Sequence, residues 1–130
     1  MTQVDIVFAL KALPPFDRLR DTELTLIASI GRVLHYEPGA TVHPDEQPFH
    51  RLYLRLTGDW SAAAQPAPAI LGVGSLLFGN PAPGPIVAGP AGAVAVSIQK
   101  SQFHTIVNET PELLLGFLQQ PAGRTAGTFL

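Results

Sequence analysis

The spacing of apolar residues predicts helices at the beginning of the chain. Over residues 4–13 apolar side chains recur three or four positions apart, and the pattern stops at Pro14. The same spacing returns from Asp21, a favourable N-cap, to about Gly31. The predicted buried face of this second helix consists of Leu24, Ile27, Ala28 and Gly31.

From about residue 40 the apolar residues alternate with polar ones, which is the period of a strand. Residues 51–56 place leucines on one face and Arg, Tyr and Arg on the other, so we predict a strand with one solvated side that ends at Thr57-Gly58. Residues 94–98 alternate in the same way. Helical spacing resumes over residues 100–107 and after Thr110, where Pro and Glu follow at the first helical positions.

Charge is distributed unevenly, and this favours a β-rich centre. Of the 18 charged residues, 14 lie at or before Asp59, and residues 60–99 contain no Asp, Glu, Lys, Arg or His. That segment is rich in aliphatic residues, and the chain has 12 glycines and 13 prolines, which is typical of short buried strands joined by turns. We therefore predict an α+β fold with an antiparallel β-sandwich or jelly roll flanked by short N- and C-terminal helices.

Length and composition also limit the number of domains and the classes of partner that the chain can have. A chain of 130 residues predicts one domain, over residues 1–120, followed by a flexible tail, residues 121–130. A net charge of −2 gives no basic surface for nucleic acid. There is no cysteine for a disulfide, a thiol nucleophile or a zinc site, no signal-peptide pattern and no apolar run of the length of a membrane span. We expect a cytoplasmic protein without a cofactor.

Several motifs, in this order, resemble the cyclic-nucleotide-binding domain family, which includes the sensor domains of CRP/FNR-like regulators. Over residues 13–118 the matching stretches are FDRLRDTEL at 16–24, YEPGATV at 36–42, LYLRLTG at 52–58 and LGVGSLLFG at 71–79. Residues 98–103 and 111–113 resemble the family's closing helices. The resemblance implies the family's β-sandwich and a regulatory role without catalysis.

The chain departs from the family where the ligand would bind. The resemblance implies a ribose-binding Glu at the position of Asn80, then a short helix, then an Arg that neutralises the cyclic phosphate. Residues 81–87 read PAPGPIV, which is too short for that helix and contains no Arg. The prolines also remove N–H donors. Arg51 and Arg55 are predicted on the solvated side of their strand. We therefore expect neither cAMP nor cGMP to bind the degenerate pocket, which is formed by Phe78, Gly79, Asn80, Ile86 and Val87.

Other chemistries find little support in the sequence. His35, His43 and His50, with Asp45 and Glu46, lack the His-x-His pair of a cupin, and they are better explained as polar turn residues, so no metal is expected. Ser75 has no Gly-x-Ser-x-Gly context. Gly72, Gly74 and Gly79 do not have the spacing of a dinucleotide fingerprint.

The resulting functional hypothesis is a stand-alone regulatory or protein-interaction module, and not an enzyme. Its expected partner is another protein or a second copy of the chain. The candidate interaction surface is the last helix, through Leu113, Leu114, Phe117 and Leu118. Three alternatives remain open. They are a sensor of a neutral or apolar small molecule near Trp60 and Phe78, a cyclic-nucleotide binder with rearranged contacts, and a metal-dependent cupin-like enzyme.

Overall fold

Five helices and six strands make up the part of the chain that the computed structural model describes, residues 2–119 and 129–130. The helices are α1 (Gln3–Lys11), α2 (Asp21–Ile30), α3 (Val73–Phe78), α4 (Lys100–Glu109) and α5 (Pro111–Leu118), with a 3-10 turn at Phe16–Arg18. The strands are β1 (Arg32–Tyr36), β2 (Thr41–His43), β3 (Arg51–Ala62), β4 (Gln65–Pro66), β5 (Ile70–Leu71) and β6 (Ile86–Gln99).

The strands pair in antiparallel fashion around the two longest ones. The order is β1-β6-β3-β4, and β2 also pairs with β6 while β5 pairs with β3. The register of β3 against β6 shifts between Arg55 and Thr57 and again between Gly58 and Trp60, and such irregularities bend a strand. Helices before and after this bent sheet complete the α+β architecture that the sequence predicts.

The strand predicted to end at Thr57-Gly58 continues to Ala62, and this corrects the sequence prediction. Gly58 has a φ of +79° and pairs with Ala93, so the chain passes through an irregular register without leaving the sheet. A side chain at Gly58 would collide with the backbone of Gly92, which itself has a φ of +72°. Glycine is therefore required at both positions, because only it combines this conformation with such a close approach.

The sheet separates two apolar clusters. One face, which carries Leu52 and Leu54, packs against the helices. The opposite face, called the inner face below, carries the second cluster, to which β2, β5 and the loops around them also contribute residues. Its buried members are Val42, Phe49, Trp60, Ala67, Leu71, Ala82, Ile86, Ala88, Ala93 and Ala95.

Helices α1, α2, α4 and α5 begin and end close to the predicted positions, with two differences at α2, whereas α3 lies in the segment that the sequence predicts to contain only short strands. Arg20 is the N-cap of α2, and its backbone N–H donates to the Glu23 carboxylate at 2.9 Å, so Asp21 is the first helical residue and not the cap. Gly31 follows the helix as its C-cap, where a Cβ would collide with Val96. The predicted buried residues Leu24, Ile27 and Ala28 are buried.

Helix α5 turns much of its apolar face towards its own domain. Leu113 is fully buried and Phe117 is 1 % exposed, with its ring 5.8 Å from that of Phe16 in an edge-to-face contact. These two residues are therefore unavailable to a partner, which corrects their place in the predicted interaction surface. The exposed large apolar residues of the helix are Leu115 and Leu118.

Most of the predicted flexible tail, residues 121–128, lies outside the described residues. Its last two residues are described, and they contact the domain. Phe129 forms a parallel bridge with Ile70, and the N–H of Leu130 donates to the carbonyl of Ile70 at 2.8 Å.

Candidate ligand-binding region

Helix α3 and the segment after it occupy the region in which the sequence resemblance places ligand binding. Glycines with positive φ bound this helix, Gly72 at +108° and Gly79 at +73°. Between the helix ends, the Ser75 hydroxyl accepts the backbone N–H of Phe49 at 3.0 Å and donates to the carbonyl of Asn80 at 2.7 Å. Ser75 is buried, and its hydroxyl joins two loops.

Residues 79–85 form neither helix nor strand. The N–H of Asn80 donates to the carbonyl of Gly74 at 3.3 Å, and the N–H of Ala82 donates to the carbonyl of Glu46 at 3.1 Å. Residues 81, 83 and 85 are prolines and have no N–H. Gly84 is therefore the only residue from 80 to 85 whose N–H lacks a described backbone partner.

The five predicted pocket residues do not converge on one cavity. Phe78 is 65 % exposed, and Gly79 and Asn80 are also at the surface. Ile86, by contrast, is fully buried in the inner cluster, while Val87 is partly exposed. Whether these positions contact any ligand stays a prediction.

Trp60 fills the inner cluster next to Ile86. The indole is 2 % exposed, and its Nε1–H donates to the carbonyl of Pro68 at 2.6 Å, so the polar atom of this side chain is satisfied. The Arg55 guanidinium lies over the Trp60 ring at 5.5 Å and donates to the carbonyl of Ala67 at 3.4 Å. Burial lowers the pKa of Arg55 from its ordinary value, while the charge of Asp59 acts in the opposite direction.

Arg51 and Arg55 are partly buried on the inner face, and this corrects their predicted place on a solvated side. The Arg51 guanidinium donates to the Ser97 hydroxyl at 3.3 Å. Tyr53 lies between the two arginines along β3 and packs against the inner cluster, as does Tyr36 of β1. The period-two pattern could not identify this second, partly buried face, because the cluster beside it includes residues of β2, β5 and loops that are distant in sequence.

The phenols of Tyr36 and Tyr53 share a charged environment. Burial raises the pKa of both groups above the ordinary value of a tyrosine. Proximity to Tyr53 raises the pKa of Tyr36 further, whereas the positive charge of Arg51 acts on both phenols in the opposite direction. Both side chains are therefore neutral at physiological pH and present O–H donors.

Two of the residues considered for a metal site, His43 and Asp45, make hydrogen bonds to the backbone of Gln47. His43 is buried with its ring 4.4 Å from that of Phe49, and its Nε2 lies 2.6 Å from the carbonyl oxygen of Gln47. The Asp45 carboxylate accepts the N–H of Gln47 at 2.8 Å. Among the described residues, no group of three or more His, Asp or Glu lies close enough to hold a metal ion.

No family model matches the sequence, and no curated protein matches it. Solved structures of protein kinase A regulatory domains do match the fold. The regulatory domain of Toxoplasma gondii PKA, in a co-crystal with cAMP, gives a TM-score of 0.70 at 13 % identity over 87 % of this chain and 48 % of that chain. The cAMP-bound PfPKA-R (141-441) gives 0.64 at 16 % identity, over 80 % of this chain and 41 % of that one.

The regulatory subunit of a cAMP-independent protein kinase A from Trypanosoma brucei gives a TM-score of 0.71 at 17 % identity, over 92 % of this chain and 48 % of that chain. This chain thus spans less than half the length of each of these structures. The likeness shows that it has the cyclic-nucleotide-binding fold. In the described ranges, no helix is long and apolar enough to cross a membrane.

Proposed function

We propose that this chain is a regulatory domain without catalytic activity, which acts through a protein partner and has lost the binding of cyclic nucleotides. Its fold is that of regulatory domains. One of the similar structures belongs to a kinase described as cAMP-independent, and two others are described with cAMP. The fold by itself is thus compatible with either condition, and the proposal depends on the ligand-binding region.

The proposal rests mainly on the composition and the backbone hydrogen bonds of residues 80–85. An anionic phosphate taken out of water needs a paired cation or several converging N–H groups. This segment has no Lys or Arg, and it forms no helix. Two of its N–H groups already donate to Gly74 and Glu46, and three of its residues are prolines. It therefore retains very little with which to bind a phosphate.

The interior next to this segment supports the same conclusion. Trp60, Leu71 and Ile86 are buried there in one apolar cluster, and the Trp60 N–H already has a partner. A ligand seated among these side chains would have to displace them. Close-packed side chains of this kind are costly to move.

The experiment is a melting curve with 1 mM cAMP or cGMP, followed by isothermal titration calorimetry. A dissociation constant near 10 μM would add about 2.7 kcal/mol of stability and raise the Tm by several degrees. We expect a shift within about 1 °C. A larger shift that calorimetry confirms as binding would contradict the proposal. Adenosine serves as the matched neutral probe, because its binding without that of cAMP would favour a sensor of neutral ligands.

The proposed protein partner finds support on the helical side of the domain. Five large apolar side chains are exposed on helices there: Val4, Phe8, Leu26, Leu115 and Leu118. A groove of about 270 Å³ lies between α1 and α2, next to Phe8. Sedimentation velocity of the wild type and the Phe8→Asp variant would test self-association. A monomer at high concentration would exclude the homodimer and leave a different protein as the partner.

A further inference from the structure

We infer that Arg32, Arg51, Tyr36 and Tyr53 form a binding site for an oxyanion, a phosphate ester or a carboxylate, on the inner face of the sheet. The site is separate from residues 80–85, so the inference does not depend on the proposed loss of cyclic-nucleotide binding. It rests on register, on the donors that these side chains carry and on the absence of a compensating acid.

The strand register places these residues around Ser97. Ser97 of β6 pairs with Arg32 of β1 on one side and with Tyr53 of β3 on the other. Residues directly opposite on antiparallel strands point to the same face, so the three side chains share one surface. Arg51 reaches the same point, because its guanidinium donates to the Ser97 hydroxyl.

Tyr36 enters the group from the other end of β1. It pairs with Ala93, and the residue between Ala93 and Ser97 on this face is Ala95. Both alanines are buried, and Leu34, which pairs with Ala95, lies between Arg32 and Tyr36 on this face of β1. The phenol of Tyr36 comes close enough to Tyr53 and Arg51 for both to act on its ionisation.

Every polar group contributed here is a hydrogen-bond donor at neutral pH. Arginine has no acceptor, and a neutral phenol donates its O–H. Only one of these donors has a described side-chain acceptor, the Arg51 N–H that reaches Ser97. Planar guanidinium groups match the geometry of phosphate and carboxylate oxygens.

Neither Arg32 nor Arg51 forms an ion pair with a carboxylate of the described residues. The ion pairs there join Lys11 to Asp21 and Arg20 to Glu23, and both lie on the helical side. Residues 120–128, which are outside the described part, contain no Asp or Glu. Two arginines beside partly buried phenols, with no acid between them, therefore favour an anion from solution.

The test compares the Tm in 20 mM inorganic phosphate, in 20 mM benzoate and in chloride of equal ionic strength. For a dissociation constant near 1 mM we expect phosphate or benzoate to raise the Tm of the wild type by about 5 °C. A response to phosphate identifies a phosphate ester as the ligand class, and a response to benzoate alone identifies a carboxylate. No response to either anion would overturn the inference.

Matched variants place the binding on the molecule. Arg51→Gln should lower the affinity at least about tenfold, as expected for loss of a charge-assisted hydrogen bond. Tyr53→Phe keeps the ring, and therefore the packing, and should weaken binding several-fold. Arg20→Gln removes the same charge from the helical side and should bind as the wild type does. Equal responses in all these proteins would reveal a general salt effect and overturn the inference.

Measurements of cAMP binding to the wild type and to Arg51→Gln distinguish failure of this inference from failure of the proposed function. If cAMP binds the wild type but not Arg51→Gln, the anion site stands and the proposed loss of cyclic-nucleotide binding is wrong. If phosphate has no effect and cAMP does not bind, the anion site is wrong while the proposed function stands.

Discussion

The hydroxyl of Ser75 connects helix α3 to Phe49, whose backbone N–H donates to it over 3.0 Å. The same hydroxyl donates to the carbonyl of Asn80, so one side chain fixes both the loop before β3 and the end of the α3 turn. This relationship explains why a polar residue is buried at this position.

Ser75→Ala should therefore destabilise the domain. It leaves the Phe49 N–H without its acceptor in a buried place, which typically costs about 1–3 kcal/mol. Chemical denaturation of the variant and the wild type gives the difference in the free energy of unfolding. Ser101→Ala, at an exposed position of α4, is the control and should change it by less than about 0.5 kcal/mol. Equal effects would show that the hydroxyl of Ser75 is not a structural link.

The adjacent residues Leu54 and Arg55 of β3 should differ in how much they contribute to the free energy of unfolding. Leu54 is fully buried against the helices, so Leu54→Ala should cost about 2–5 kcal/mol. Arg55 points to the opposite face and lies over Trp60, so Arg55→Ala should cost about 0.5–1 kcal/mol through the lost cation–π contact. Denaturation curves of both variants measure this, and equal costs would mean that the strand register is wrong.

The sequence predicts those features of β3 that depend on neighbouring residues in the chain. Alternation identified Leu52 and Leu54 because one face of residues 52–56 is apolar. It could not reveal that Arg51 and Tyr53 are partly buried, because the inner cluster on their side includes residues of β2, β5 and loops that are distant in sequence. The extension of β3 past Gly58 depends likewise on Gly92, some thirty residues away.

In the candidate ligand-binding region, too, some features can be predicted from the sequence and others depend on strand pairing. The absence of a cation from residues 60–99 and the three prolines after Asn80 are visible in the sequence, and they led to the expected loss of cyclic-nucleotide binding. The grouping of Arg32 with Arg51 was not visible, because it requires the pairing of both β1 and β3 with β6. Short segments gave no periodic signal at all, as at Phe129 and Leu130.

The stability of the domain should fall at alkaline pH as its phenols ionise. The pKa values of Tyr36 and Tyr53 are raised in the folded state, so the folded protein retains protons that the unfolded chain loses. The stabilisation is complete below pH about 10 and is lost as the pH rises through the raised pKa values. The chain has two tyrosines, so phenolate absorbance reports these groups alone. Midpoints at or below the ordinary value would contradict the prediction, and Tyr53→Phe should make the alkaline loss of stability smaller.

Phe129→Ala should destabilise the domain even though the residue lies within the tail, residues 121–130, that the sequence predicts to be flexible. Its ring lies 5.2 Å from that of Phe117 in an edge-to-face contact, and it packs against the helix-side cluster. The backbone beside it is fixed as well, because the carbonyl of Leu130 accepts the N–H of Gly72 at 2.8 Å. Since Phe129 is only partly buried, we expect a loss of about 1–3 kcal/mol, below that of a fully buried Phe.

The matched control for Phe129 is Phe8, which is 66 % exposed on α1. Phe8→Ala removes the same atoms and should change the free energy of unfolding by less than about 0.5 kcal/mol. Urea denaturation measures both variants. If Phe129→Ala were as neutral as Phe8→Ala, the contacts of Phe129 and Leu130 with β5 and α3 would not contribute to stability, and the predicted flexible tail would extend to residue 130. A loss in the expected range, confined to Phe129→Ala, would show that the chain returns to the sheet edge after α5 and holds β5 against β3.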